Sequence, residues 1–252
     1  MTNASDTTWY DDDTFWQLFS PFMFGPERFE MAKEQVLLLQ ELSGCTGGSV
    51  LDLACGPGRF VVPFAKLGYT VTGVDRTTYL LEKARAYAAQ EQVDVEFVQE
   101  DMRRFVRPGA FDLVVNLFTS FGYFADPADN QLVLENMHTS LARGGAFVLD
   151  VMGKETIART FRDADVAPLD DGSFVVQQRD VVNDWCEMDN YWTLVKDGQA
   201  RTFHIRHWIY SGWELKQMLL AAGFAEVALH GNLAGAPYDS NFRRLIAVAR
   251  KA

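Results

Sequence analysis

Residues Ser49 to Phe60 read SVLDLACGPGRF, and the reading of this stretch decides the fold. Val50, Leu51 and Leu53 predict a short buried strand, Gly56-Pro57-Gly58 a tight turn, and the amphipathic run Phe60–Leu67 a helix. Strand, turn and helix in this order form a ligand cradle. Glycine lets the backbone approach a ligand closely, and the first free N–H groups of the helix point at it. Dinucleotide-binding folds use the same device with a G-x-G-x-x-G turn, but here Val61 stands in the third position. Asp52 lies inside the strand itself. A carboxylate there repels a pyrophosphate and attracts a cation.

Outward from this stretch, strand and helix signals alternate. Thr70–Val74, Val93–Val98, Phe111–Leu117 and Ala146–Val151 read as further strands. Helical spacing falls between them at Leu80–Tyr87 and Leu132–Leu141. The alternation predicts an α/β fold, a doubly wound and mostly parallel sheet. Later, Phe174–Val182, Tyr191–Val195 and Thr202–Tyr210 read as successive strands of a small antiparallel β insertion. Turns fall near Asp184 and at Asp197-Gly198. A helix at Gly212–Ala222 and strands at Glu226–Leu229 and Leu245–Ala249 finish the main sheet. Before the glycine turn, Phe15, Trp16, Phe19 and Phe22 crowd one short helix that Asp13 or Thr14 can cap. A second helix runs from Pro26 to Gly44. Met1 to Thr8 are small and polar and read as a frayed end.

Composition narrows the function. With 252 residues, nearly half of them hydrophobic, the chain supports one sizeable α/β domain with an insertion. A net charge of −11 disfavours nucleic acid and anionic membrane surfaces as partners. Cys45, Cys55 and Cys186 form no metal spacing with the histidines and read as free thiols of a reducing compartment. No signal peptide or membrane-length apolar run is visible, so a cytoplasmic location is expected.

DLACGPG resembles the first motif of the class I S-adenosylmethionine-dependent methyltransferases: an acid, two or three small or apolar residues, then Gly-x-Gly at a strand end. The resemblance covers Ser49 to Val151 and, more loosely, the final strands. It is to small-molecule N- and O-methyltransferases, the glycine N-methyltransferase type included. It implies a Rossmann-like fold and S-adenosyl-L-methionine as cofactor. Residues 1–48 are then an N-terminal helical lid, 49–152 the cofactor-binding core, 153–210 a substrate cap, and 211–252 the completion of the core sheet. Asn116-Leu117-Phe118-Thr119 departs from the Asn/Asp-Pro-Pro-aromatic tetrapeptide of enzymes that methylate nucleic-acid amino groups.

The resemblance also implies site residues. Asp52, Ala54, Cys55, Gly56 and Gly58 form the cradle, with the Cys55 backbone rather than its thiol in play. Asp75, followed by Arg76, ends the second strand, where it takes the ribose hydroxyls or caps a helix. Asp101 accepts the adenine amino group, or is a solvated loop acid, and Met102 adds its N–H and an apolar contact. Leu117 and Phe118 sandwich the adenosyl group or line the methyl channel, and Phe118, Phe121, Tyr123 and Phe124 either pack the core or face the sulfonium. Trp16 closes the lid, and Arg28 pairs with the cofactor carboxylate or is a surface charge. His204, His207 and Tyr210 are candidate general bases, each with a structural role as the alternative. The expected reaction moves a methyl group to an N or O atom of a small molecule. The alternatives are a non-catalytic module that binds the same cofactor and, behind it, an NAD-linked oxidoreductase.

Overall fold

In the computed structural model, which describes residues 8–252, the quoted stretch lies at the centre of a seven-stranded sheet. The frayed end expected at Met1 to Thr8 lies outside the described residues apart from Thr8, which precedes the first turn. A 3-10 turn at Trp9–Asp11 leads into α1 (Asp13–Met23) and α2 (Pro26–Ser43). The core follows as β1 (Ser49–Leu53), α3 (Val61–Lys66), β2 (Thr70–Asp75), α4 (Thr78–Gln90), β3 (Glu96–Gln99), β4 (Phe111–Asn116), α5 (Pro127–Ser140) and β5 (Leu141–Val151). Then come α6 (Lys154–Thr160), β6 (Ala164–Pro168), β7 (Phe174–Val182), β8 (Glu187–Lys196) and β9 (Gln199–Trp208). The chain closes with α7 (Gly212–Ala221), β10 (Glu226–His230) and β11 (Leu245–Arg250).

The main sheet runs β10-β11-β5-β4-β1-β2-β3, parallel from β5 to β3, with β11 antiparallel to β5 and β10 antiparallel to β11. Val50, Leu51 and Leu53 are fully buried because helices cover both faces of the sheet. On one face Ala32, Val36 and Leu39 of α2 pack with Phe64 of α3 and Leu81 of α4. On the other, Val133, Leu134 and Met137 of α5 pack with Leu215 and Leu219 of α7. Strand order reverses between β1 and β4, which opens a crevice at the carboxyl ends of these strands.

The insertion differs from the expected three strands. It begins with α6, and β6 adds a fourth strand, giving the order β6-β7-β8-β9. In Ala164–Pro168 alternate residues are exposed, so the strand lacks the apolar face that would have announced it. Bounds move as well, and β5 starts at Leu141 and β8 at Glu187, ahead of the runs read as strands. α5 starts at Pro127, with the Asp126 carboxylate accepting the Ala128 N–H at 2.9 Å, ahead of its first apolar residue. The cap of α1 is Asp12, whose carboxylate accepts the Thr14 N–H at 2.8 Å, not Asp13 or Thr14.

Candidate active site

A cavity of about 1140 Å³ occupies the crevice, floored by the carboxyl ends of β1, β2 and β4 and roofed by α1 and the insertion. Of the thirteen residues assigned to the cofactor from sequence, all but Gly58 line it.

The turn after β1 is built from left-handed backbone: Ala54 at φ 62°, Gly56 at φ 55° and Gly58 at φ 82°. The two glycines do different work. A Cβ on Gly56 would touch the ring of Phe24, the residue that ends α1, at 3.6 Å on the cavity side. A Cβ on Gly58 would meet the Cβ and Cα of Ala84 at 3.1 and 3.2 Å, so that glycine lets α4 close on the turn and faces away from the cavity. The Cys55 thiol lodges toward Gly73 of β2, where an added Cβ would lie 3.1 Å from its sulfur.

Asp75 braces the turn. One carboxylate oxygen accepts the Gly56 N–H at 2.9 Å and the other the Thr77 N–H at 2.9 Å. Burial raises its pKa, and these two hydrogen bonds oppose the rise. Each oxygen keeps a second lone pair. Asp52 is different. It is almost fully buried, and its Oδ2 has no hydrogen-bond partner among the described residues. Burial pushes its carboxyl up to about 8, with Arg59 pulling it down and Asp75 pushing it further up. An orphaned acid beside a ligand-sized space fits a cation-bearing ligand.

Asp101 lines the cavity with its acceptor sites already taken. Arg103 donates from its backbone N and Nε to one oxygen, at 2.8 and 3.0 Å, and from Nη2 to the other at 2.7 Å, which Arg76 also reaches at 3.2 Å. Burial raises its pKa, but the Arg103 contacts outweigh that and hold it below the usual carboxylate range. Arg76 in turn pairs with Asp11 at 2.6 Å and lies 4.7 Å from the Tyr10 ring, which ties the 3-10 turn before α1 to the end of β2. Farther along α1, Phe15 and Phe19 stack at 4.9 Å, and both rings meet Phe203 of β9 edge-on. The Trp16 indole N–H donates to the Tyr10 carbonyl at 3.0 Å.

The loop after β4 carries two consecutive non-glycine residues in the left-handed region, Phe118 at φ 56° and Thr119 at φ 61°. Asp150 at the end of β5 holds them, its side chain accepting the Phe118 N–H at 3.1 Å and its carbonyl the Thr119 N–H at 2.9 Å. Arg244 clamps the Asp150 carboxylate at 2.6 Å. The loop aromatics divide as a result: Phe118, Tyr123 and Phe124 line the cavity, and Phe121 enters the core. Over Phe118, at 4.0 Å, lies the guanidinium of Arg59, a residue that the sequence reading passed over. Its signal was its place directly after Gly58. Arg59 is buried, makes no ion pair among the described residues, and its pKa is lowered to about 10 by burial and by Arg28. Arg28 also reaches the cavity from the first turn of α2, while remaining partly exposed.

Strand geometry separates the three candidate bases. Phe203, Ile205 and His207 share the inner face of β9, so His207 lines the cavity. His204 falls on the outer face, where its Nε2 meets Asp189 at 2.6 Å and its ring stacks on Tyr191. Tyr210 is buried in the core against Phe121 with its hydroxyl unpartnered, and it does not line the cavity. His207 itself is nearly fully buried, and burial lowers its pKa to about 4. The Asn190 amide N–H₂ donates to the Ile205 carbonyl at 3.4 Å, which orients it toward His207 Nδ1 at 3.3 Å. Nδ1 is thereby the acceptor, and the ring proton is assigned to Nε2.

Residues 50–145 match the family model described as a methyltransferase domain. This match agrees with the resemblance of DLACGPG to the class I S-adenosylmethionine-dependent methyltransferases. Among curated relatives, an uncharacterized methyltransferase of Synechocystis is 35% identical over 126 residues, 50% of this chain and 54% of that one. A ubiquinone biosynthesis O-methyltransferase of Caulobacter sp. strain K31 is 28% identical over 144 residues, 54% of this chain and 56% of that one. The match thus spans about half the length of the curated relatives. Two solved structures share the fold along the whole chain. The CcbJ methyltransferase from Streptomyces caelestis has a TM-score of 0.80 at 21% identity, covering 99% of this chain and all of that one. A methyltransferase from Clostridium acetobutylicum ATCC 824 has 0.77 at 14% identity, covering 95% and 98%. The methyltransferase domain sets the dinucleotide reading of the glycine turn aside. No helix among the described residues is long and apolar enough to cross a membrane.

Proposed function

We propose that this chain transfers a methyl group from S-adenosylmethionine to an N or O nucleophile of a small molecule. The observation that carries the reading is Asp52: a buried, unpartnered carboxyl opening on the same cavity as the glycine turn, Asp75 and the Phe118 loop. When bound, S-adenosylmethionine supplies a methyl group already activated on a sulfonium, so the protein's task is to align the acceptor with the S–CH3 bond.

The chain's own groups divide that task. Asp52 offers charge to the cationic end, Asp75 its two remaining lone pairs to a pair of ribose hydroxyls, and Met102 and Leu117 apolar cover for the base. Arg59 and Arg28 present guanidiniums to the carboxylate end. The Trp16 helix and the insertion act as a lid and a substrate cap, which exclude water from the cavity they roof. A cavity of about 1140 Å³ exceeds the usual range for one small ligand, roughly 300–1,000 Å³, so it accommodates a second molecule. His207, held neutral with its proton on Nε2, donates a hydrogen bond better than it accepts a proton. That favours an acceptor that needs no base, a neutral amine nitrogen, over a hydroxyl.

Calorimetric titration with S-adenosylhomocysteine, with NAD as control, tests the cofactor. Binding of the former alone is expected, followed by methylation within a panel of small amines and phenols. Binding of NAD, or of neither, would sink the proposal.

A further inference from the structure

Eight of the chain's sixteen arginines line the cavity, and none of its seven lysines does. Four of the eight lie on the insertion side, away from the glycine turn: Arg159 and Arg162 at and just after the end of α6, Arg179 on β7, and Arg243 in the loop before β11. These segments are stitched into one arc. The Thr156 hydroxyl donates to the Phe242 carbonyl at 2.7 Å, and Arg159 donates from Nε to the Ser240 carbonyl and from Nη2 to the Asn241 carbonyl, the latter at 3.2 Å, which leaves its Nη1 free among the described residues. Arg162 and Arg179 share one carboxylate, Asp165, at 3.4 and 2.9 Å. Arg159 and Arg243 have no carboxylate partner among the described residues.

The arc is therefore positively charged on a chain whose net charge is −11. The field of the whole chain repels anions, so a local excess of cations at the cavity is what draws an anion to it. The residue type points the same way. A guanidinium holds a carboxylate or a phosphate with two parallel N–H donors, whereas lysine offers a point charge.

We propose that the methyl acceptor carries an anionic group, a carboxylate or a phosphate, held by Arg159, Arg162, Arg179 and Arg243 at the insertion side of the cavity. The proposal rests on the methyltransferase reading above and adds the substrate's charge.

Inorganic pyrophosphate and citrate are the probes, titrated by calorimetry at low ionic strength against matched chloride. The full chain is used, both free and saturated with S-adenosylhomocysteine, which occupies the Arg28–Arg59 end. Binding of pyrophosphate assigns a phosphate-bearing acceptor, and binding of citrate a carboxylate. The double variant Arg162→Gln/Arg243→Gln is expected to lose roughly tenfold or more in anion affinity, as charge-assisted hydrogen bonds are removed. Its S-adenosylhomocysteine affinity should stay unchanged. The control Arg201→Gln, exposed on β9 and outside the cavity, should bind anions as the wild type does. Arg243→Glu is the second variant should the double one fail to fold; it too should lose anion binding. Anion binding no stronger than matched chloride, or undiminished in the variants, overturns the proposal. Failure of S-adenosylhomocysteine to bind sinks the cofactor reading instead, and the titration of the free chain still decides the anion site.

Discussion

Replacing Asp52 with Asn removes a buried carboxyl whose proton a bound cation should displace. Burial pushes this carboxyl up to about 8 in the free protein, so roughly nine in ten copies are protonated at pH 7. A cation seated against it favours the ionised form. Binding of S-adenosylmethionine at pH 7 should therefore release close to one proton per site, about 0.9 if the bound value returns to the ordinary range. By linkage, affinity should rise by up to about tenfold per pH unit below about 8 and level off above it. Stability of the free protein carries the opposite sign. Between about 4 and about 8 the folded state holds a proton that the unfolded state has lost, so stability falls as pH rises through that window. The assay is calorimetry at about pH 6, 7 and 8, the range set by these values, in pairs of buffers with different ionisation enthalpies. Wild type should show buffer-dependent heats and a rising affinity. Asp52→Asn should show neither, and at about pH 8 should bind roughly 10- to 100-fold more weakly, the loss of one charge-assisted contact. Wild-type heats that ignore the buffer, or an Asn variant that keeps the pH slope, would refute the reasoning.

Three further outcomes follow from contacts in the same cavity. Asp75→Ala should weaken cofactor binding severely and also lower stability by about 1–3 kcal/mol, because the Gly56 and Thr77 N–H groups lose their acceptor; unchanged S-adenosylhomocysteine affinity by calorimetry would remove Asp75 from the ribose site. Gly58→Ala should cost about 1–3 kcal/mol in urea unfolding, from its left-handed φ and the contact with Ala84. Gly56→Val should instead abolish cofactor binding, since its side chain grows into the cavity toward Phe24, and wild-type affinity in that variant would refute the cradle. His207 stays neutral when folded down to about 4 and protonates near 6.5 when unfolded, so its share of stability is present above that window and lost as pH falls through it. His207→Gln should be less sensitive to acid by about 3 kcal/mol between pH 7 and 4, measured by urea unfolding at both ends; equal acid sensitivity would count against a buried neutral ring.

The sequence by itself determined the core of this protein because that core is built from local contacts of known period. Val50, Leu51 and Leu53 had to be a strand buried on both faces, and Gly56 and Gly58 had to turn it into a helix. The acids Asp52, Asp75 and Asp101 are carried to one crevice because each lies in or just beyond a strand of a parallel sheet, and the helices return the chain to the same side each time. Period-two alternation puts His207 and His204 on opposite faces of a strand, but it does not say which face is enclosed. What only the tertiary structure decided are relations between residues distant in sequence. Gly58 serves the packing of α4 because Ala84 happens to lie against it. Asp101 is spent on Arg103 and Arg76, and Arg59 is stripped of ion-pair partners and laid on Phe118. The four arginines at the insertion side of the cavity span 84 residues of sequence, from Arg159 to Arg243, and line one space because α6 docks on the loop before β11. A charge's partner and its desolvation depend on the groups that surround it in space, and spacing along the chain carries no record of them.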